Sequence, residues 1–352
     1  MKVAITADLH LTDESGHPAR FKTLRRLLKQ CANLDVDTLI IAGDLFDRRM
    51  QDFADFESVY QEARPPELEV LALPGNHDLD LAPGALAVPG LRVIEEVELF
   101  QLGDAFNLLL VPYKPETTMG ERLSEYQGQL APGSWGLVSH ADWVGGHRKP
   151  EADEPGVYMP LTRADLIRFQ PAYCVLGHLH VPISQPPIYT PGSPCPLDIT
   201  ETGFRRMLIL NSEDRSVKSA TVDSARICFD ERIVVLPMEN SIDRFTLQLE
   251  EMIKGWELPP DCEGRIQLRL KVAGYVKDRA GLLEAAQERL AKYELYPGSP
   301  DLSDLHLAGD VDRAEIAQRV EEVIHNLGFE RSPFDPSDQE ILEEALTLIY
   351  AE

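Results

Sequence analysis

The first part of the chain alternates short apolar runs with longer segments whose apolar residues recur at helical spacing. The runs typical of buried strands are KVAIT, DTLIIAGD, LEVLALPGNHD, NLLLVPY, WGLVSHA and YCVLGHLH. Two segments between them, ARFKTLRRLLKQCANL and DFADFESVYQEA, have the spacing of amphipathic helices. The apolar residues of the first are Phe21, Leu24, Leu27, Leu28 and Cys31. Strands that alternate with helices in this way predict an α/β layered domain.

After Ile209 the pattern changes. RRMLILNSEDRSVKSATV predicts a hairpin, and a small α+β unit is predicted from DRFTLQLEEMI, RIQLRLKVAGYV and DRAGLLEAAQERLAKY. YPGSPDLSDLHLAGD is rich in turn-forming residues and predicts a linker. The predicted organisation is a first domain over 1–215, a small α+β domain over 216–297, a linker over 298–311 and C-terminal helices over 312–352.

Two helical stripes are predicted in the tail from Asp312 to Glu352. The first consists of Ile316, Val320, Val323, Ile324 and Leu327, and the second of Ile341, Leu342, Ala345, Leu346 and Ile349. Ser337 and Glu340 have capping-box spacing before the second stripe. Helices this short are marginal alone in water, so each stripe must pack on this chain's own core or on a partner. If the linker tethers a separate module, a chain cut before Asp312 should still fold.

The length of 352 residues is sufficient for two domains with a sizeable core. With 34 basic and 59 acidic residues, the net charge of −25 argues against binding nucleic acid over the whole surface and is compatible with cation sites. Five dispersed cysteines without a C-x-x-C pair predict reduced thiols in a cytoplasm. No apolar run could span a membrane, and the N-terminus lacks the pattern of a signal peptide.

Five of the predicted strands end in residue types that bind divalent cations. These residues are Asp8 and His10, then Asp44, then Asn76, His77 and Asp78, then His140, and finally His178 and His180. Taken singly, each has a plain alternative, such as a turn at the G-D pair or two solvated histidines at a strand end. If the last strand continued past Gly177, its two histidines would face one object. Because sites in open α/β sheets form at the carboxyl ends of strands, the whole ordered series predicts a metal site.

Two divalent cations about 3.5–4 Å apart can hold both the attacking and the leaving oxygen of a phosphoryl transfer. Imidazoles combined with carboxylates suit Mn, Fe, Ni or Zn rather than Ca. One carboxylate must bridge such a pair, and the shared ions lower the pKa of a bridging water so that it can attack phosphorus as hydroxide near neutral pH. Gly43, Gly75 and Gly177 are expected to let the backbone turn sharply beside these side chains.

The series D-x-H, G-D, G-N-H-D, H and G-H-x-H resembles that of the calcineurin-like metallophosphoesterases. This resemblance implies a four-layer core, with two sheets between helices, and a two-metal site. Carried over by position, one metal is bound by Asp8, His10, Asp44 and His180, and the other by Asp44, Asn76, His140 and His178. His77 would stabilise phosphate charge or protonate the leaving oxygen, and Asp78 would orient it. Some relatives have a catalytic histidine where this chain has Asp47, which leaves any role of Asp47 open.

The stretch YTPGSPCPLDITETG, followed by a strand, resembles the SbcD-type nucleases of double-strand-break repair, although a plain proline-rich turn is the alternative. The resemblance implies a Mn²⁺-dependent DNA exo- and endonuclease that forms a homodimer. It also implies that the small α+β domain is a capping domain that contacts DNA, and that the C-terminal helices dock on an SbcC-type SMC-like coiled-coil ATPase. A phosphoesterase for a small molecule or nucleotide, whose C-terminal region serves oligomerisation, stays open.

Basic residues that could contact DNA are few and local. They are Lys22, Arg25, Arg26 and Lys29 on one predicted helix, and the pairs Arg48–Arg49, Arg148–Lys149 and Arg205–Arg206. Against a net charge of −25 these predict weak DNA binding by the isolated chain, with the partner ATPase supplying much of the affinity. The sequence assigns no substrate-binding residue.

Overall fold

The computed structural model describes residues 1–48, 53–103, 106–145, 156–308, 311–327 and 335–351. Of the basic residues named above, Arg49, Arg148 and Lys149 lie outside the described residues. The chain divides into two compact units. Unit 1 comprises Met1–Leu197 and Phe204–Arg226, and unit 2 comprises Asp198–Gly203 and Ile227–Glu352.

Unit 1 contains two six-stranded sheets. The first is formed by β1 (Lys2–Thr6), β2 (Thr38–Ala42), β3 (Glu69–Leu73), β4 (Leu91–Val93), β11 (Arg206–Asn211) and β12 (Val217–Thr221), in the order β12-β11-β1-β2-β3-β4. The second is formed by β5 (Glu98–Gln101), β6 (Asn107–Val111), β7 (Trp135–His140), β8 (Tyr173–Gly177), β9 (Ile183–Gln185) and β10 (Ile188–Thr190), in the order β5-β6-β7-β8-β10-β9. β1 to β3 are parallel, as are β6 to β8. β11 and β12 pair as the predicted antiparallel hairpin.

The two sheets pack face to face, and helices cover their outer faces. Ile5 and Ile40 of the first sheet share one apolar cluster with Leu108 and Val138 of the second. The alternate residues of the first sheet pack against α1 (Pro18–Asn33) and α2 (Ala54–Ala63), and those of the second against α3 (Met119–Ser124) and α4 (Arg163–Phe169). Strands that are covered on both faces have continuous apolar sequences, and the central strands of both sheets have such sequences. The predicted four-layer α/β core is therefore confirmed.

Unit 2 is built on a parallel sheet of four strands. They are β13 (Ile227–Val235), β14 (Ile266–Val276), β15 (Glu294–Leu295) and β16 (Leu305–Leu307), and β14 pairs with the other three. One face packs against α5 (Ser241–Gly255) and α6 (Arg279–Leu290). The described part of the segment predicted as a linker, residues 298–308, instead lies along this sheet, because Asp301 exchanges backbone hydrogen bonds with Leu270 and Val272 and β16 follows.

The tail of the chain packs on the other face of this sheet. It forms α7 (Val311–Asn326) and α8 (Asp338–Ile349), and the predicted capping box of Ser337 and Glu340 begins α8. The buried tail residues Ala317, Ile324, Leu342 and Leu346 share a cluster with Val234 and Ala273 of the sheet and with Leu236, which directly follows β13. The predicted α7 stripe is only partly buried, since Ile316, Val323 and Leu327 are 51%, 57% and 52% exposed. Of the two predicted options, the described tail thus takes the one on its own chain.

None of the helices in the described part of the chain is both long and apolar enough to cross a lipid bilayer.

Candidate metal centre

The polar residues that follow the strands of both sheets meet at one end of unit 1. Asp8 and His10 follow β1, Asp44 follows β2, Asn76 follows β3, His140 ends β7, and His178 and His180 follow β8. Except for the half-buried His180, all of these side chains are buried. His140 Nδ1, at the end of the second sheet, lies 3.0 Å from the carbonyl oxygen of Ala42, at the end of the first, so the two sheet ends are in contact here.

The potential ligand atoms form three overlapping groups, and within each group the atoms lie within 4.8 Å of one another. The groups are Asp8–His10–His180, His10–Asp44–His77 and Asp44–His140–His178. Asn76 Oδ1 joins the third group, at 2.8 Å from His140 Nε2 and 3.1 Å from His178 Nδ1. Asp44 is central, because its Oδ2 lies 3.5 Å from His10 Nε2 and 3.3 Å from His140 Nε2. The structure therefore brings together all seven residues predicted as ligands, with Asp44 between two sets.

His178 and His180 face different groups. If strand geometry continued past Gly177, residues two apart would point the same way, but β8 ends at Gly177 and His178 has a φ of 83°. His178 turns toward Asp44 and His140, and His180 toward Asp8 and His10. The sequence pattern H-x-H thus serves two groups instead of one, because the backbone at its first histidine leaves the extended conformation.

Several of these residues have a strained backbone. Asp8, His10 and Asp44 have φ values of 56°, 44° and 51°, in the left-handed region that residues with a Cβ rarely adopt. Each such conformation costs about 1–3 kcal/mol. Hydrogen bonds hold it in place, since Asp8 N donates to Gly43 O at 3.1 Å and His10 N donates to Asp44 O at 3.0 Å. Strain concentrated in a set of polar residues is typical of a functional site.

The three glycines beside these residues are required by two different constraints. Gly43 has a φ of 92°, which is the sharp turn expected from the sequence. Gly75 and Gly177 are needed for space. A Cβ on Gly75 would lie 2.1 Å from Asp44 Oδ1, and one on Gly177 would lie 2.0 Å from the carbonyl oxygen of Ala42. A side chain at either position would therefore displace the loop that carries Asp44.

Charge interactions inside the site shift its pKa values in opposite directions. Burial alone would lower the pKa of His140, but the carboxylates of Asp44 and Asp8 outweigh it and raise that pKa to about 10. Burial alone would raise the pKa of Asp44, yet its histidine neighbours, His140 first, hold it well below its usual range. Burial raises the pKa of Asp8 to about 6. Without metal, the raised pKa favours the positively charged His140 ring, which has a proton on each nitrogen. A bound divalent cation would have to displace one of these protons.

The residues of the site suit a divalent cation. Asp8 Oδ2 and His10 Nε2 are buried and have no hydrogen-bond partner among the described residues. Buried polar atoms are rarely left unpaired, and an ion is one of the few groups that can satisfy such atoms. Imidazole nitrogens combined with carboxylate and amide oxygens are typical of Mn, Fe or Zn sites. The donor set thus fits the metals that the sequence predicts.

His77 and Asp78 occupy different environments. The half-buried ring of His77 lies against that of His10, with centroids 4.5 Å apart, and His77 N donates to Asp44 Oδ1 at 2.9 Å. The carboxylate of Asp78 accepts hydrogen bonds from Gly75 N at 2.6 Å and Phe46 N at 3.1 Å, and burial raises its pKa to about 6. Asp78 thus braces the loops after β2 and β3. Its predicted effect on the His77 ring stays a prediction.

Sequence reasoning missed three residues that contact the site. Arg20 donates to the carbonyl of His10, and Arg205 donates to the carbonyl of His180 and to Ser193 O. Arg205 is 2% exposed, so it does not form the exposed basic pair with Arg206 that the sequence suggested. The third is Asp142, a fully buried carboxylate two residues after His140. The spacing H-x-D, the reverse of the D-x-H at Asp8, was the signal that could have identified it.

The chain is similar to several known proteins. The model of the calcineurin-like phosphoesterase family matches residues 1–182. The chain is 29% identical over 239 residues to the DNA double-strand break repair protein Mre11 of Methanopyrus kandleri, covering 58% of this chain and 51% of that protein. It is 26% identical over 200 residues to the uncharacterized metallophosphoesterase YhaO of Bacillus subtilis, covering 52% and 47%. The chain thus spans about half the length of the curated relatives it matches.

Among solved structures, a hypothetical protein from Thermus thermophilus matches with 13% identity and a TM-score of 0.40, covering 63% of this chain and 98% of that one. The family model covers more than half of the 352 residues and includes all seven predicted ligands. The chain belongs to the calcineurin-like phosphoesterase family.

Proposed function

We propose that the protein is a metal-dependent phosphodiesterase that acts on DNA, as the exo- and endonuclease subunit of an SbcCD-like repair complex. The observation that carries the proposal is the position of Asp44 Oδ2, which lies 3.5 Å from His10 Nε2 and 3.3 Å from His140 Nε2, between two sets of potential ligands at the carboxyl ends of the strands. Such a pair suits the displacement of one phosphate oxygen by another. The similarity to a protein named for DNA double-strand break repair supports DNA as the substrate.

In this proposal Asp8, His10, Asp44 and His180 hold one divalent ion, and Asp44, Asn76, His140 and His178 hold the other. Both ions are Mn²⁺. When bound, they neutralise charge on the phosphate and make water a stronger nucleophile. Arg20 and Arg205 fix the carbonyls of His10 and His180 and so limit the movement of these two ligands.

His77 has a separate part in the proposal. Its ring contacts that of His10 at the half-buried edge of the site, and its backbone is fixed by Asp44. A histidine there can stabilise charge on the phosphate or protonate the leaving oxygen. Asp44 therefore has two functions: Oδ2 faces the ligand histidines, and Oδ1 holds the loop of His77.

The chain should hydrolyse linear duplex DNA, circular single-stranded DNA and bis-p-nitrophenyl phosphate in Mn²⁺, and a chelator should abolish all three activities. Both ligand groups depend on a bound cation to polarise the phosphate, which is the reason for the expected loss. Product formation on the three substrates is the measurement. The Asp44→Ala variant, purified in parallel, controls for contaminating nucleases.

Preference for a phosphomonoester such as p-nitrophenyl phosphate, without action on either DNA, would contradict the nuclease proposal. It would favour the alternative, a phosphoesterase for a small molecule or nucleotide.

The isolated chain should bind DNA weakly, because acidic side chains pair with the few basic ones. Arg25 on α1 lies 2.6 Å from Glu14 and 3.4 Å from Glu62, and Arg26 lies 3.6 Å from Asp223. Both arginines are thus partly neutralised within unit 1. Affinity for DNA is then proposed to come mainly from the ATPase partner.

We propose that the SbcC-type coiled-coil ATPase docks on the outer side of α7, where Ile316, Val323 and Leu327 are exposed. An amphipathic helix with apolar residues on two sides can pack on its own chain and on a partner helix at once. Val323→Asp should abolish co-purification with the ATPase and leave Mn²⁺-dependent hydrolysis of bis-p-nitrophenyl phosphate unchanged. The control is Ile167→Asp on α4, where Ile167 is 74% exposed. Equal loss in both variants, or in neither, would contradict this docking site.

The homodimer and the cytoplasmic location implied by the sequence stay predictions.

A further inference from the structure

The carboxylate of Asp142 lies beside the nitrogen of His178 that points away from the proposed metal. His178 Nδ1 faces the ligand group, at 3.1 Å from Asn76 Oδ1. The other ring nitrogen, Nε2, lies 3.6 Å from Asp142 Oδ1. Asp142 is fully buried and His178 is 3% exposed. Their interaction is therefore weakly screened by water, and a negative charge there acts strongly on the ring.

Backbone contacts fix the position of Asp142 independently of His178. Its Oδ2 accepts a hydrogen bond from Tyr158 N at 2.7 Å, and its own N donates to Tyr158 O at 2.8 Å. Its carbonyl oxygen accepts from Leu161 N at 2.8 Å. The carboxylate is thus held in one orientation before any ion binds, so it can set the orientation of the ring next to it.

His140 shows the same arrangement with a different acceptor. Its Nδ1 lies 3.0 Å from the carbonyl oxygen of Ala42, and its Nε2 lies 2.8 Å from Asn76 Oδ1. Each of the two histidines therefore turns one ring nitrogen toward a fixed protein oxygen and the other toward Asn76. A histidine that binds a metal through one nitrogen commonly donates the proton of the other to a carbonyl or carboxylate.

We propose that Asp142 is a positioning residue that keeps the proton of the neutral His178 ring on Nε2, so that the Nδ1 lone pair is available to the metal. Asp142 does this for His178 as the Ala42 carbonyl does for His140. The inference rests on the ligand role proposed for His178. In this inference Asp142 acts on the ring of His178 and is not itself a ligand of the ion.

Asp142→Asn separates this role from the support that Asp142 gives to the backbone. The asparagine has nearly the same volume, and its carbonyl oxygen can still accept from Tyr158 N. Its NH₂ group then faces His178 Nε2 as a donor. That arrangement favours the proton on Nδ1. A proton there blocks the lone pair through which His178 is proposed to bind the metal. The polarity of the contact is reversed while its shape is kept.

Titration calorimetry of Mn²⁺ into the chelator-treated full chain measures the effect. The wild type should bind two equivalents of Mn²⁺. In Asp142→Asn the affinity for one of them should fall by about 10–100-fold, the usual effect of removing the residue that hydrogen-bonds a metal-bound histidine. The control is Asp165→Asn. Asp165 accepts from Thr162 N and Thr162 Oγ1 at the start of α4, so its loss should leave both equivalents as in the wild type.

Nitrogen-15 NMR of the wild type loaded with diamagnetic Zn²⁺ gives a second readout that requires no variant to fold. In the loaded wild type the His178 ring should bind the ion through Nδ1 and keep its proton on Nε2. A wild-type ring that binds the ion through Nε2 would overturn the inference, and so would wild-type affinity for both equivalents in Asp142→Asn. If the wild type binds no Mn²⁺ at all, the proposed metal roles fail as well, whereas two wild-type equivalents with an unaffected variant refute the positioning role alone.

Discussion

Asp44→Ala should lose metal and activity together, whereas His77→Ala should keep both metals and lose turnover. Asp44 Oδ2 lies 3.5 Å from His10 Nε2 and 3.3 Å from His140 Nε2, so it is the oxygen that both ligand groups share. Its removal leaves each group without its common carboxylate. In the proposed function His77 acts on the phosphate or the leaving oxygen, and the loss of such a group reduces turnover by about 10²–10⁴-fold.

Elemental analysis of the purified variants and steady-state hydrolysis of bis-p-nitrophenyl phosphate distinguish the two outcomes. Because Asp44 Oδ1 also accepts from His77 N, Asp44→Asn is the better-matched partner variant, since it can keep this hydrogen bond. His325→Ala, an exposed histidine of α7, controls for the removal of an imidazole and should change neither quantity. Loss of metal in His77→Ala would refute the role proposed for His77.

The members of the site could be predicted from the sequence because position and chemistry coincide. Each predicted ligand comes directly after an apolar run, or ends one, and parallel strands bring their carboxyl ends to one edge. The division of the pair His178 and His180 could not be predicted. It depends on the φ of 83° at His178, and no residue pattern reports that angle.

The residues that support the ligands were missed for a different reason. Arg205 reaches the carbonyl of His180 across 25 positions of sequence, and Asp142 reaches His178 across 36 (178 − 142). Their contacts arise only when separate strands pack together. In the sequence, Arg205 and Arg206 look like an exposed basic pair, but the fold uses Arg206 on the carbonyls of Ile183 and Thr190.

The tail shows what an amphipathic pattern can predict and what it cannot. Both helices were predicted, with the capping box that begins α8. The pattern could not predict which surface covers the stripes. That surface is the face of β13 and β14 that carries Val234 and Ala273, and it forms only when the sheet folds. The turn-forming residues before the tail favoured a tether, yet the chain there bends back along β14 and adds β16 to the sheet. Composition alone does not distinguish a bend at a sheet edge from a linker.

Leu346→Ala should destabilise unit 2 strongly, whereas Leu348→Ala should not. Leu346 is 1% exposed and packs in the cluster of Val234 and Ala273, while Leu348, two residues further along α8, is 72% exposed. Truncating a buried leucine costs about 2–5 kcal/mol, whereas a surface substitution changes stability by about 0.5 kcal/mol or less. Hydrogen exchange of the β13 and β14 amides, followed by mass spectrometry in the full chain, measures this difference within unit 2. Faster exchange is expected in Leu346→Ala only.

Deletion of the chain from Asp312 onward tests the same packing at its limit. The deletion uncovers Val234, Leu236 and Ala273 at once, and such a contiguous apolar face on a sheet favours aggregation. We therefore expect a product that is aggregated, or whose β13 and β14 amides exchange far faster than in the full chain. Because the residues proposed to bind metal belong to unit 1, the proposed function predicts that any soluble fraction still binds Mn²⁺. A monomeric product with wild-type exchange in β13 and β14 would show instead that the tail is a separable module, as the linker-like composition before it suggested.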